Sequence, residues 1–315
     1  MEKDVFRNLD DLKKGANIPL CVQLKVPNTM PEHCDTEKLK RGQLFFQKNV
    51  SNCVLAMLSS LVCGLSISNL LDPLVFTKVS DTPKKSLFRY MRTLVHVIKW
   101  HHNDLWNENS PARASLDEVR QKHSAVAEAM LKQEPAGKIH LSQYDMSLVQ
   151  CGFVGAIILH PQGFAIPPNV NDLDDFVYLW KFIGSRLGIM DRNNICLHSY
   201  QETFFICKQI EDDILLPALK NPPKDFELMA TAFTDGLNLL HKVGLYTPEA
   251  VINFVLDVIG EKRKRQSITN ELRILIFKLL VQLKLYIPGF QFLMNKLVML
   301  FYFSVTRNQK KQKLS

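Results

Sequence analysis

From Leu44 onward, apolar residues recur at spacings of three and four along almost the whole chain. That is the period of a helix with one buried face. No strand alternation is sustained over two neighbouring segments, and no internal repeat is present. The first 40 residues are polar, carry the turn signals "NIPL" and "VPNTMPEH", and read as an irregular arm. The pattern predicts a helix over about 83–102, with Pro83 suited to its first turn. It predicts another running from a capping box at "SLDE", Ser115 to Glu118, through His123. Further helices are expected from about Ser142 to Leu159 and from near Asp174, and "NPPKD" at 221–225 ends one already interrupted near Pro217. The expected fold class is all-α, with an arm over 1–40, a helical domain over 41–270 and a hydrophobic C-terminal helix with a basic tail over 271–315.

Two stretches exceed the usual apolar content. Val50 to Leu71 carries no charge over 22 positions, a length that can span a bilayer. Its several Ser and Asn residues favour instead a central helix buried on all sides by other helices. The second stretch, "LYIPGFQFLMNKLVMLFYFSV" at 285–305, has one charge, Lys296, and basic flanks. It reads either as a membrane-spanning or interfacial helix or as a C-terminal helix packed on the domain. Lys311 and Lys313 in the closing "KQKLS" look like a dilysine retrieval tail of endoplasmic-reticulum membrane proteins.

Composition narrows the chemistry. With 46% hydrophobic and 22% charged residues, the chain is that of a folded globular protein. The net charge of +8 comes largely from "EKRKRQ" at 261–266 and the tail at 307–315. It is not spread along an aromatic-rich face, so no nucleic-acid partner is expected. The seven cysteines form no CxxC or CxxCH, which removes zinc knuckles and covalent c-type haem and suggests reduced thiols. The charged N-terminus lacks an apolar h-region, so no cleavable signal peptide is expected.

Candidate chemistry lies on two helices. Arg89, Arg92, Thr93 and His96 fall at i, i+3, i+4 and i+7 and share a face. Phe88, Met91, Val95 and Ile98 occupy another face, suited to burial. On the next helix Leu116, Val119, His123, Val126 and Met130 form an apolar stripe that contains a histidine. Each feature alone fits a solvated face or a core histidine.

Together with "LSQYDMSLVQCGF" at 141–153 and "FVYLWKFIGSRLGIMDRNN" at 176–194, the segments "RYMRT" at 89–93 and "VRQKHSAV" at 119–126 resemble the mpaB and rubber oxygenase family, which includes the latex-clearing proteins. The order and spacing of the four segments match over roughly residues 45 to 215. The resemblance implies a single globin-like multi-helix domain enclosing a non-covalent haem b, with His123 as the iron's proximal ligand. It places the RxxKT element, held near the haem and needed for activity, on Arg89, Arg92 and Thr93, with Arg89 towards a propionate or a distal oxygen species. The implied reaction is dioxygen-dependent cleavage of a C=C bond in a hydrophobic, polyprenyl-like substrate. Rubber oxygenases carry Lys where this chain has Arg92, and a guanidinium cannot ligate iron. A five-coordinate or water-bound ferric iron is therefore expected, with His96 the nearby residue able to restore a second nitrogen ligand. The family's acidic residue ahead of this element finds only Asp72 as a loose match, and its role is not transferred. Gly184 and Gly188 suggest a smooth strip for close helix or haem approach, and Asp191, Asn193 and Asn194 a helix-ending turn. The alternative is a non-catalytic haem- or lipid-binding helical protein at the endoplasmic-reticulum membrane; a third reading, an integral membrane protein, requires Val50–Leu71 to cross lipid.

Overall fold

The computed structural model describes residues 6–20, 26, 29–133, 137–241 and 243–314, the last seven by backbone alone. It is all-α: among the described residues there is no strand, only one isolated bridge between Pro19 and Ser142. The arm contains a short helix, α1 (Leu9–Lys13), closed by a capping box between Asn8 and Asp11. Its Arg7 reaches across the fold to Glu202 at 2.6 Å.

The uncharged stretch does not form one helix. After α2 (Thr36–Lys48), it gives α3 (Val50–Gly64) and α4 (Ser68–Thr77), bent by 88° at residues 65–67. There the Ser66 hydroxyl donates to Cys63 O at 2.7 Å and local turn bonds replace the helical ladder. The polar side chains find partners inside the protein: Asn52 donates to Ala165 O and Asn69 to the Asp145 carboxylate. Most of α3 is buried, as expected of a helix enclosed by others. No single helix among the described residues is long and apolar enough to cross a membrane.

α5 (Pro83–His102) has the expected bounds, with Met91, Val95 and Ile98 buried. Phe88 departs from that face and is 62% exposed. α6 (Pro111–Gln133) starts four residues before the expected capping box. Ser110 accepts from the Ala112 N–H at the helix start, which frees Ser115 for a different task described below. α7 (Gln143–Leu159) is capped by Ser142 and Asp145 acting reciprocally, and it is buried along most of its length against α3. α8 (Val170–Arg186) begins at an Asn169 cap, four residues ahead of the sequence expectation. Gly188 lies beyond α8 at φ +90°, where its N–H and that of Ile189 bond Ser185 O and Gly184 O. Gly188 thus terminates the helix and does not extend a strip, whereas Gly184 sits against the Gln150 and Asn194 side chains.

α9 (Tyr200–Ile210) widens into a π-turn at Glu211–Leu215 before α10 (Leu216–Lys220), the interruption expected near Pro217. α11 (Phe226–Asn238) packs on α5, and α12 (Pro248–Ile259) on α3. The hydrophobic C-terminal stretch is split by the Pro288–Gly289 turn between α13 (Ile268–Tyr286) and α14 (Phe290–Leu314). α14 is tied to the start of α3, with Asn295 accepting from Ser51 N at 2.9 Å and donating to Lys48 O at 2.7 Å. Half of the exposed large apolar side chains among the described residues nevertheless lie between Ile268 and Phe303. Ile268, Leu272, Leu275 and Leu279 make a stripe on α13 while Ile274, Phe277 and Val281 face the core. The side chains of Lys311 and Lys313 lie outside the described residues, as does Cys21. The other six cysteines are free thiols.

At the centre of the packing His101 is fully buried, stacked on Phe46 at 3.8 Å between ring centroids. Its Nδ1–H donates to Val97 O at 2.8 Å, and Nε2 has no partner. Burial lowers its pKa to about 3. Below pH 6.5 the unfolded chain takes up a proton that the native ring refuses until about pH 3, so stability falls across that window. His101→Phe, which keeps the stack, is expected to recover on the order of 4 kcal/mol of the acid loss at pH 3. Urea denaturation at pH 7 and pH 3.5 measures this as a flatter pH profile for the variant.

Candidate functional site

α3 to α8 enclose a mainly apolar cavity of about 220 Å³. α5 and α6 bring the candidate residues to it: Arg89, Thr93, His96 and His123 all line the cavity. Arg92 does not. It pairs with Glu118 at 3.2 Å on the outer side of α5, with its side chain 52% exposed. Asp72 is also absent from the lining and pairs with Lys138 at 2.8 Å.

His123 emerges from the apolar stripe of α6 with Val119 and Val126 beside it. It makes no hydrogen bond, and its Nδ1 is sealed in protein without a partner. Burial, helped by the positive charges of Arg89 and Lys122, lowers its pKa to about 4. At neutral pH the ring is an uncharged imidazole, the form that binds iron. The Arg89 guanidinium faces the same cavity, and burial lowers its pKa as well. Among the described residues no carboxylate pairs with it. Thr93 donates to Arg89 O at 3.2 Å, which leaves its oxygen as an acceptor.

Ser115 gives His96 a defined role. Trp100 Nε1–H donates to Ser115 Oγ at 2.9 Å, and Ser115 lies 2.6 Å from His96 Nδ1. A hydroxyl has two lone pairs and one proton, so Ser115 accepts from Trp100 and still has both a lone pair and a proton available to Nδ1. Burial lowers the His96 pKa to about 4, so the ring is neutral. Ser115 thus holds His96 by Nδ1, and Nε2 is the ring nitrogen left over on a side chain that lines the cavity. The sequence pattern assigned Ser115 to a cap; its partners lie 15 and 19 positions away on α5, beyond the reach of local spacing.

The other matched segments hold the walls. Asp117 joins α6 to α8 through the buried Arg186 at 2.8 Å and also binds Arg113 at 3.0 Å. Gln143 donates to Gly188 O and accepts from Met190 N. Gln150 donates to Trp180 O and to Asn194 and accepts from Ile195 N. Asp191–Asn193 form the expected short turn, with Asn193 and Asn194 fully buried as braces.

No group of three or more His, Cys, Asp or Glu able to hold a bare metal ion occurs among the described residues. A lone neutral imidazole on an apolar wall, beside an unpaired guanidinium, instead fits a flat apolar group that carries its own metal and its own carboxylates. The chemistry of these residues fits a haem: His123 would meet its metal and Arg89 its anionic edge.

No protein-family model matches the chain, and no curated protein sequence does. A solved structure, "Structure of Latex Clearing Protein LCP in the closed state", matches with a TM-score of 0.58 over 88% of this chain and 76% of that one, at 17% identity. The fold is similar to that of latex clearing protein. This agrees with the all-α expectation and with the rubber-oxygenase half of the sequence resemblance.

Arg89 is half-buried with no carboxylate partner among the described residues, and a cation so placed is destabilising in the absence of a ligand. Arg89→Leu is expected to stabilise the ligand-free chain by roughly 1–3 kcal/mol, read as a higher urea midpoint. A loss of stability would mean that Arg89 is already satisfied within the protein.

Proposed function

We propose that this chain is a haem-dependent oxygenase acting on an apolar, unsaturated, polyprenyl-like substrate. The observation that carries this reading is the pairing of an orphaned imidazole, His123, with an uncompensated guanidinium, Arg89, in one apolar cavity. A structural core histidine would have its N–H satisfied, and a structural arginine would have a counter-ion. The similarity of fold to latex clearing protein supports the same direction.

A bound haem b would supply dioxygen activation, and with it oxidative cleavage of a C=C bond to two carbonyls. The chain's own residues do the rest. His123 would hold the metal through Nε2, since Nδ1 is sealed. Arg89 supplies fixed charge and a fork of donors for a propionate. His96, held by Ser115 at Nδ1, lines the cavity as a neutral ring, and Thr93 accepts. Apolar side chains from α4, α6 and α7 exclude water and receive the hydrocarbon. Arg92, outside the cavity, has no part in the chemistry, and its departure from the family's lysine leaves no cationic side chain from that position above the site. A carrier that binds haem or lipid without turnover would use the same cavity.

The test is oxygen uptake by haem-loaded protein given squalene, against squalane, its saturated counterpart. Uptake with squalene alone, with carbonyl products, is expected; Arg92→Ala should keep at least about a third of the rate, because a surface ion pair contributes little. No uptake despite full haem loading would favour the carrier.

We further propose that the exposed α13–α14 face rests on an anionic lipid surface. Between residues 268 and 307 there are five basic residues and one acidic, four of the basic ones lying outside the core and Lys284 buried, and Lys296 sits over the Phe292 ring at 4.6 Å. Apolar burial with basic flanks is the pattern of interfacial helices. Co-sedimentation with phosphatidylserine-containing vesicles is expected, reduced at least fivefold by Leu275→Asp with Leu279→Asp. Equal recovery of the variant with vesicles would remove this face from the interaction.

A further inference from the structure

A second cavity of about 70 Å³ lies behind the first, among α3, α7, α9 and α12. The two share five lining residues, Ser60, Gly64, Leu70, Leu148 and Gly152, so they abut across the crossing of α3 with α7. Each of these two helices brings a glycine to the junction. At Gly152 a Cβ would meet nothing within 4 Å, and at Gly64 it would meet only Leu70 Cδ1, at an ordinary 3.9 Å. Gly152 lies inside α7, where alanine would fit and would hold the helix better. Packing therefore does not call for glycine there. What the glycine leaves is open space between the chambers.

The second chamber offers little to a polar ligand. The titratable side chains His160 and Glu211 are engaged with each other, Nε2 to Oε2 at 2.7 Å, and the other Glu211 oxygen pairs with Lys208 at 3.3 Å. Ser60, at the junction, supplies the one hydroxyl in the lining. Around these groups the wall is apolar, with Phe164, Ile210 and Val255 all buried. A buried water needs about two to four polar partners, so an apolar occupant suits this chamber better. One water-sized group takes roughly 10–15 Å³ of such a volume, and the 70 Å³ here admits about five carbons of a chain.

We infer that the two chambers form one channel for a hydrocarbon chain, which passes between Gly64 and Gly152 and lays its apolar tail in the second chamber. The ligand class is a linear or prenyl hydrocarbon that runs about five carbons beyond the junction. Gly152 is then a specificity-determining residue, because a side chain there would close the passage. This rests on the reading of the first cavity as the substrate cavity, and it adds a register: the depth the tail reaches decides which part of the chain lies in the cavity of His123.

Photolabelling of the full-length chain with hexadec-1-ene carrying a terminal alkyl diazirine, mapped by mass spectrometry, tests this without any turnover. In the wild type, label is expected on Ile210 or Val255, which line the second chamber and not the first. Gly152→Leu should cut that label at least tenfold relative to label on Val119 and Met146, which line the first cavity alone. Persistent labelling of the first cavity separates a closed passage from a lost fold. Ala156→Leu fills the second chamber from a residue that does not line the first, and should have the same effect; it decides the matter if the Gly152 variant does not fold. Wild-type label confined to the first cavity, or unchanged label on Ile210 and Val255 in a folded variant, overturns the inference and leaves the first cavity standing as a hydrocarbon site. Absence of label from both chambers overturns that reading as well.

Discussion

A guanidinium held in an apolar cavity without a counter-ion is the constraint around which this fold is arranged. Removing a charge from water costs several kcal/mol unless a partner repays it, and Arg89 has no carboxylate partner among the described residues. Beside it His123 is kept neutral by burial and by that same positive charge. Arg89 disfavours protonation of His123, while its own cost is that of leaving water. On the proposed reading a single ligand with a metal centre and an anionic edge would satisfy both.

Keeping such a cavity open requires walls that do not collapse into it. The walls are braced by polar side chains that bond from one element to the next. Arg186 to Asp117 fixes α8 against α6, and Gln150 locks α7 to both α8 and the turn after it. The Trp100–Ser115–His96 chain then holds one imidazole by its Nδ1. These buried hydrogen bonds specify geometry more than they add stability. They explain why the matched sequence segments extend well beyond the residues that touch the cavity.

Much of this was legible in the sequence where the signal is local. The bounds of α5 follow from Pro83 and helical periodicity, which act within a turn, and α7 starts where expected, next to Ser142. The convergence of Arg89, Thr93 and His96 followed from helical spacing, and His123 from its place on an apolar stripe. What local pattern could not reach was long-range. The bend after Gly64 depends on packing that no composition rule for an uncharged stretch contains. Ser115 fits a capping box by spacing, yet its hydroxyl serves α5. Arg92 shares a nominal face with Arg89, but three residues leave two side chains about 60° apart around a helix, enough to put one in the cavity and the other on Glu118. His160 and Glu211, 51 positions apart, carry no joint signal in the chain at all.

The most direct measurement is a hemin titration of the purified chain, followed by its Soret absorbance, for wild type and His123→Ala in parallel. Saturation near one haem per chain in the wild type, with a sharp endpoint that the variant lacks, is the predicted result. Equal haem binding by both proteins, or none by either, would contradict the assignment of His123 and Arg89 as a haem site.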